Sequence, residues 1–327
     1  MPECHGIAAP NPAEMRTLWG AAVVLAGLAG CSRIAGGTAA MPHGIVFVRE
    51  AVDAGDMYGS GRPGVTRAYR DGRVVATYPG RVLVARDAPA ASLIYDDRTR
   101  RARRLQGGPW RAFSPCSDPV NKLHYALSPD GRRGLCFNEI SNAEDMVVFD
   151  AASPMRTHRV AFKASVMNRP YIADWVDNDR IATIEYRPGV CPFHRAYGFP
   201  PGGLVVIDVN GRVLERGPCM AGVIAGPRGL VYVEWKVDNT DWKTWMPVGF
   251  GRPQEHPAFS TDAGRSWHFG LPQFAADDGR VYYLTGIIGT LHDDAGAKVL
   301  GGVYDAAWAR ADNNVACHST VAPNPCP

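Results

Sequence analysis

The chain is 327 residues long, and the roughly 297 that remain once an N-terminal leader is set aside suffice for one large domain or two modest ones. Its 35 basic and 32 acidic side chains leave a formal net charge of only +3, so no bulk electrostatic attraction draws it to nucleic acid, and none is expected as a partner.

Residues 1–14, with Pro2, Pro10, Pro12 and two glutamates, carry no export element and read as an extension ahead of the true start. From Met15, one positive charge at Arg16 precedes the apolar run Ala21-Ala22-Val23-Val24-Leu25-Ala26-Gly27-Leu28, the order of a secretory signal peptide. That run is about a dozen residues, short of the roughly 20 that span a bilayer. It also lacks any polar face, so residues 15–30 are a targeting segment rather than a first helix. Leu28-Ala29-Gly30-Cys31 resembles the bacterial lipobox. The resemblance implies cleavage before Cys31 and a lipid on its thiol. Ser32 stands where inner-membrane lipoproteins of enteric bacteria carry Asp, which implies the outer membrane, facing the periplasm. Residues 31–43 are then the lipidated cysteine and a linker rich in Gly and Ala, and residues 44–327 the folded domain.

An exported domain folds where disulfides form. Setting Cys4 and Cys31 aside leaves six cysteines in three sequential couples, and the spacing predicts Cys116 with Cys136, Cys191 with Cys219, and Cys317 with Cys326. The rival reading is metal binding at Cys191-Pro192-Phe193-His194 and Cys317-His318. Neither offers the paired ligands of a structural zinc site, so no metal and no cofactor is expected.

From Gly44 onward helical periodicity is nearly absent. Apolar runs of four to eight residues alternate with Gly, Asp, Asn and Pro, as in an all-β domain. Ile45-Val46-Phe47-Val48 opens the series. Turns follow at Arg70-Asp71-Gly72-Arg73, Ser128-Pro129-Asp130-Gly131, Asp177-Asn178-Asp179, Val209-Asn210-Gly211-Arg212 and Asp278-Gly279-Arg280. Between the first two lies the basic run Arg98 to Arg104. It reads as a solvated strand or turn, or else Arg100, Arg101, Arg103 and Arg104 form a docking patch for an acidic partner or for anionic lipid headgroups. Asp/Asn-Gly-Arg recurs at four turns. With four-stranded blades of roughly 40 to 50 residues, the repeat predicts a β-propeller of about six blades. Stacked β-sandwiches are the alternative.

Late in the chain, Ser260-Thr261-Asp262-Ala263-Gly264-Arg265-Ser266-Trp267 matches Ser-x-Asp-x-Gly-x-x-Trp. It resembles the Asp-box hairpin of sialidase-type β-propellers. That implies structural roles for Ser260, Asp262, Gly264 and Trp267, on an outer rim away from the axis. The sialidases' Arg-Ile-Pro segment is missing. Glu185-Tyr186-Arg187 is the one neighbouring trio of suitable types, and strand geometry sends adjacent side chains to opposite faces. Asp277-Asp278 and Asp293-Asp294 read as solvated loop charges. Gly59-Ser60-Gly61-Arg62-Pro63-Gly64 is read as a loop, because no helix pattern follows it. No serine elbow, His-Glu-x-x-His pair or phosphate loop occurs, and no enzyme activity is expected.

The densest aromatic cluster is Trp235, Trp242 and Trp245, ahead of the Ser260 motif. It is read either as blade packing or as an exposed loop on which Trp242 and Trp245 anchor a protein partner. The leader and residues 230–270 are similar to immunity lipoproteins that accompany type VI secreted lipase effectors. That resemblance implies steric blockade of a phospholipase, with the membrane engaged through the lipid on Cys31. The alternatives are an envelope glycan-binding or sialidase-like propeller, and an envelope assembly scaffold.

Overall fold

The computed structural model describes residues 40–50, 65–96, 98–116, 123–138, 146–162, 173–191, 202–237, 255–285 and 289–311. Within them the chain forms antiparallel strands and one turn of 3-10 helix at Pro89–Ala91. Every strand pairs with its neighbour in sequence inside four-stranded groups. The first group holds β1 (Ile45–Glu50), β2 (Val65–Arg70) and β3 (Arg73–Pro79). The second holds β4 (Arg81–Leu83), β5 (Leu93–Asp96), β6 (Arg101–Arg104) and β7 (Gly107–Ala112). The third holds β8 (Leu123–Leu127), β9 (Arg133–Asn138), β10 (Val147–Asp150) and β11 (Thr157–Arg159). The fourth holds β12 (Ala173–Trp175), β13 (Arg180–Tyr186), β14 (Gly202–Asp208) and β15 (Val213–Cys219). The fifth holds β16 (Gly222–Gly226), β17 (Gly229–Val237), β18 (Glu255–Ser260) and β19 (His268–Phe269). The sixth holds β20 (Leu271–Ala275), β21 (Val281–Thr285), β22 (Gly289–His292) and β23 (Lys298–Ala309).

The long strand β23 belongs to two groups at once. Its first half pairs with β22, from Lys298 opposite His292 to Val303 opposite Gly289. Its second half pairs with β1, from Val303 opposite Glu50 to Ala309 opposite Ile45. The two groups therefore merge into one seven-stranded sheet, and β23 is both the last strand of the sixth blade and the first of blade 1. The innermost strand of each of the six groups, namely β4, β8, β12, β16, β20 and the second half of β23, lines a single central cavity at or near its end, at Val84, Leu127, Trp175, Ile224, Phe274 and Trp308. Six four-stranded sheets around one axis, closed by the chain's C-terminal strand, are a six-bladed β-propeller.

The core follows from that arrangement. Apolar side chains gather in six clusters, one at each seam between neighbouring blades. The seam of blades 2 and 3 packs Tyr95, Phe113, Tyr125 and Phe149 with ring centroids 5.1 to 6.4 Å apart. Strands in the middle of a blade are covered on both faces, which is why Ile45–Val48 and Leu204–Ile207 are unbroken apolar runs rather than alternating ones. Outermost strands such as β11 and β15 carry exposed polar residues. His124, at the start of β8, stacks on Phe137 with centroids 5.4 Å apart. Burial, helped by the positive charge of Arg81, pushes its imidazole down to about 3.

Two disulfides pair as the spacing predicts. Cys116–Cys136 ties the end of the second blade to the third, and Cys191–Cys219 closes the outer part of the fourth. Cys31, Cys317 and Cys326 lie outside the described residues. Disulfides of this kind belong to an extracellular or periplasmic protein. All six blades and both bridges fall between residues 44 and 311, so the ring needs nothing beyond them to close.

With the paired cysteines separated by 20 and 28 positions in sequence, Cys116→Ala/Cys136→Ala and Cys191→Ala/Cys219→Ala are each expected to lower unfolding free energy by about 3 kcal/mol in urea titrations. His124 makes a separate prediction. Because its pKa lies near 3 in the folded chain, against about 6.5 unfolded, its contribution is fully present above pH 6.5. It is lost as pH falls toward 3, at up to about 1.4 kcal/mol per pH unit. His124→Phe removes that slope, which the difference between the two stability profiles from pH 7 to 4 reads out.

Candidate functional site

The inner strands all run the same way, so the propeller has an upper face where they begin and a lower face where they end. Connections between the first and second, and third and fourth, strands of each blade lie on the lower face. Connections between second and third strands, and between blades, lie on the upper face.

The axial cavity encloses about 130 Å³ near the lower face, and its polar side chains are already committed. Arg86 reaches across the axis from blade 2, donating from Nη1 to the Ala225 carbonyl at 3.1 Å and from Nη2 to that of Val176 at 3.4 Å. Asp174 opens onto the cavity yet accepts from the backbone N–H of Ala225 and of Trp175, both at 2.8 Å. Burial raises its pKa, and those two bonds and the Arg86 charge only partly oppose the rise. Gln273 accepts from Ala306 N–H at 3.1 Å and donates to the Leu271 carbonyl at 3.1 Å. The cavity is a strutted axis with room for a few waters.

The lower face is built of short turns closed by aspartates. Asp130, Asp150, Asp177, Asp208, Asp262, Asp278 and Asp293 each accept a backbone N–H from within their own turn. At Asp71-Gly72 both residues take positive φ, 50° and 74°, as a two-residue hairpin demands. The turn from Ser260 to Trp267 is the fullest example. Ser260 Oγ donates to Asp262 Oδ1 at 2.7 Å and accepts from Gly264 N–H at 2.8 Å. Asp262 Oδ1 also accepts from Arg265 and Ser266, and Trp267 Nε1 donates to the Gly264 carbonyl at 3.0 Å. These bonds, the Ser266 backbone first among them, hold the Asp262 carboxyl well below the usual range. The reading of Asp293 as a solvated loop charge is corrected, since it is only 3% exposed and closes the turn before β23. Asp277 is bound by Arg310, through Nε at 3.1 Å.

The upper face differs. Strand ends flanking the connections 51–64, 117–122, 139–145, 163–172, 192–201, 238–254 and 286–288 all meet it. Trp242 and Trp245 fall in one of these spans, outside the described residues. Among described residues, the face presents Tyr186, 53% exposed, and Val190, 74% exposed. Both stand on a braced base. Arg187 lies flat over Gly203, where an added Cβ would sit 2.7 Å from its guanidinium, and donates to the Gly217 and Leu204 carbonyls at 2.9 Å each. Glu185 accepts from Arg216 and from Arg187, at 3.0 Å each, and its carboxyl is held low by Arg216 first. Cys191–Cys219 pins the turn that carries Val190. The trio Glu185-Tyr186-Arg187 thus stands on the outer part of the fourth blade rather than at the axis.

The basic run divides. Arg104 turns inward, donating to the Ala91 and Gly131 carbonyls across the seam to the third blade, and burial lowers its pKa with the Asp150 charge opposing. Arg100 and Arg101 are exposed at the rim, and Arg103 lies over the Trp110 ring at 5.0 Å. Sequence patterning does not single out Arg86 or Asp174, because each is defined by partners in other blades, nor Val190, whose setting is made by the disulfide beside it. Among the described residues, no group of three His, Cys, Asp or Glu is placed to hold a metal.

No protein-family profile matches the chain, and no curated protein sequence is significantly similar to it. Solved structures share its fold at low identity. Nidogen in its complex with laminin is 10% identical with a TM-score of 0.46, over 80% of this chain and 97% of that one. AztD from Citrobacter koseri in its apo form is 11% identical with a TM-score of 0.36, over 80% and 81%. The β-propeller domain of the Trilobed protease from Pyrococcus furiosus is 12% identical with a TM-score of 0.34, over 62% and 60%. At these identities the likeness is one of fold alone.

Proposed function

We propose that this chain is a lipid-anchored envelope protein that binds a protein partner through the upper face of its propeller, and that the partner is a secreted lipase which it blocks sterically. The observation that carries the binding reading is the pair Tyr186 and Val190, exposed on a base fixed by a disulfide and by Arg187. Large apolar groups held rigid lose little entropy when covered, the property of interface anchors. The committed axis supports binding over catalysis at the channel, since Arg86, Asp174 and Gln273 hold the ring together. The lipase as partner, and the outer membrane as location, rest on the resemblance of the leader and of residues 230–270.

Two measurements test the reading. The domain of residues 34–327 is expected to capture the neighbouring lipase effector stoichiometrically and abolish its activity. Tyr186→Ala and Val190→Asp should each weaken capture by about 2 kcal/mol, roughly thirtyfold. Retention on envelope glycans without effector capture would move the case to a glycan-binding propeller. Separately, Cys31→Ser in the full chain is expected to abolish labelling by a radioactive fatty acid. Label that persists in this variant would refute the anchor.

A further inference from the structure

Blade 2 differs from the others at its outer edge. Its last two strands, β6 and β7, and the turn between β5 and β6 carry Arg98, Arg100, Arg101, Arg103 and Arg111, and of these all but the half-buried Arg103 are exposed. Several arginines of other blades meet carboxylates: Arg133 with Asp179, Arg180 with Asp177, Arg310 with Asp277, Arg67 with Glu50. On blade 2, Arg101 donates to the Trp110 carbonyl at 2.9 Å and Arg111 to that of Ala152 at 3.4 Å, while Arg103 stacks on Trp110. Those contacts hold the guanidinium groups through carbonyls and a ring, and among the described residues no carboxylate pairs with Arg101, Arg103 or Arg111. The one described acid of the turn, Asp96, accepts from the backbone N–H groups of Arg98 and Thr99, and the nearby Arg98 is the arginine whose charge acts on it.

We propose that this edge docks on the anionic headgroups of a membrane. Guanidinium forks pair with phosphate oxygens two at a time, which a compact ammonium cannot do. Paired strands set the arginines on a rigid lattice, roughly 7 Å apart along a strand and about 4.8 Å between strands. Trp110 adds a half-buried amphipathic ring of the kind that sits at headgroup level. The outer edge of a propeller is convex, suited to a flat sheet of charge rather than a ligand that must be enclosed. The tether also permits the contact: Ala40 is nine positions after Cys31, a reach of at most about 30 Å, and the chain then enters blade 1, the neighbour of blade 2. This last point rests on the lipid anchor proposed above; the charge pattern does not. Arg98 and Arg100 stand on the upper-face turn of blade 2, so docking there leaves Tyr186 and Val190, on blade 4, open to a partner.

The test uses residues 34–327, which contain the closed ring but not Cys31, so that failure of the anchor and failure of the docking edge give different results. The domain is sedimented with vesicles of phosphatidylcholine, with and without phosphatidylglycerol. Binding is expected only with phosphatidylglycerol and is lost as salt rises. Each exposed arginine contributes roughly fivefold to such binding, so Arg98→Gln/Arg101→Gln/Arg111→Gln should weaken it on the order of a hundredfold. Arg132→Gln/Arg156→Gln/Arg212→Gln removes the same charge from lower-face turns and should leave binding unchanged; unfolding curves establish that both variants are folded. Equal binding to neutral vesicles, an equal loss in the lower-face variant, or capture of an acidic protein with no affinity for either vesicle would overturn the proposal.

Discussion

The structure depends on one strand shared between two sheets. At Val303 the backbone of β23 leaves its ladder with β22 and takes up the ladder with β1, opposite both Gly289 and Glu50. Without the second ladder β1 would present an unpaired edge toward the axis, and the sixth blade would have no partner for one of its apolar faces. The change of partner demands a break in regular pairing, and the register shifts in both ladders fall there, beside Gly302 at a φ of 73°. Beyond the strand, Arg310 binds the Asp277 carboxylate and lies 3.3 Å from Asp87, linking turns of the sixth and second blades to the end of the closing strand. Arg86 then crosses the axis to the fourth and fifth. Two arginines and one strand thus turn a row of sheets into a ring.

How far the fold could be read from residues follows from how local its causes are. Turns were legible because Asp, Asn and Gly act within four residues: Asp208 accepts from Asn210 and Arg212, and Gly211 sits at a φ of 91°, all inside one hairpin. The same locality made Cys116–Cys136 and Cys191–Cys219 legible, since each pair spans little more than one hairpin. Strands were legible as apolar runs because the middle strands of a blade are buried on both faces, and that loss of alternation is itself a mark of blades packed against blades. The exact blade count was not local. It depends on β23 serving twice, and nothing between Lys298 and Ala309 announces that its two halves have different partners.

The candidate site was legible only in part, for the same reason. The basic run stood out as composition, yet its two meanings separate only when β6 is placed in its sheet. Arg104 shares a face with Ala102 and is drawn into the seam with the third blade, whereas Arg101 and Arg103 take the other face. Neighbouring letters of one motif therefore differ in role, one joining blades and the others facing outward. Tyr186 was visible as a residue type, but the rigid base on which its proposed role rests comes from Arg187, which needs Gly203 on the next strand to leave it room. Val190 carries no signal at all until the disulfide beside it is drawn.

The two faces of the ring answer different demands. A turn of two to six residues that satisfies its backbone through an aspartate side chain leaves little surface that a partner can reshape, and the lower face is almost entirely such turns. Long connections are tolerated where the strands around them are fixed by other means, because loop closure costs grow only slowly with length. On the upper face that fixing is visible: the disulfide and the Arg187 clamp hold the two strand ends that flank residues 192–201. The lower face carries long-range ties as well, through Arg86, Arg310 and the Arg133–Asp179 pair, and there they join short turns and strand ends to one another. On the upper face the disulfide and Arg187 instead restrain the ends of a long connection, and the proposed binding role rests on that restrained base.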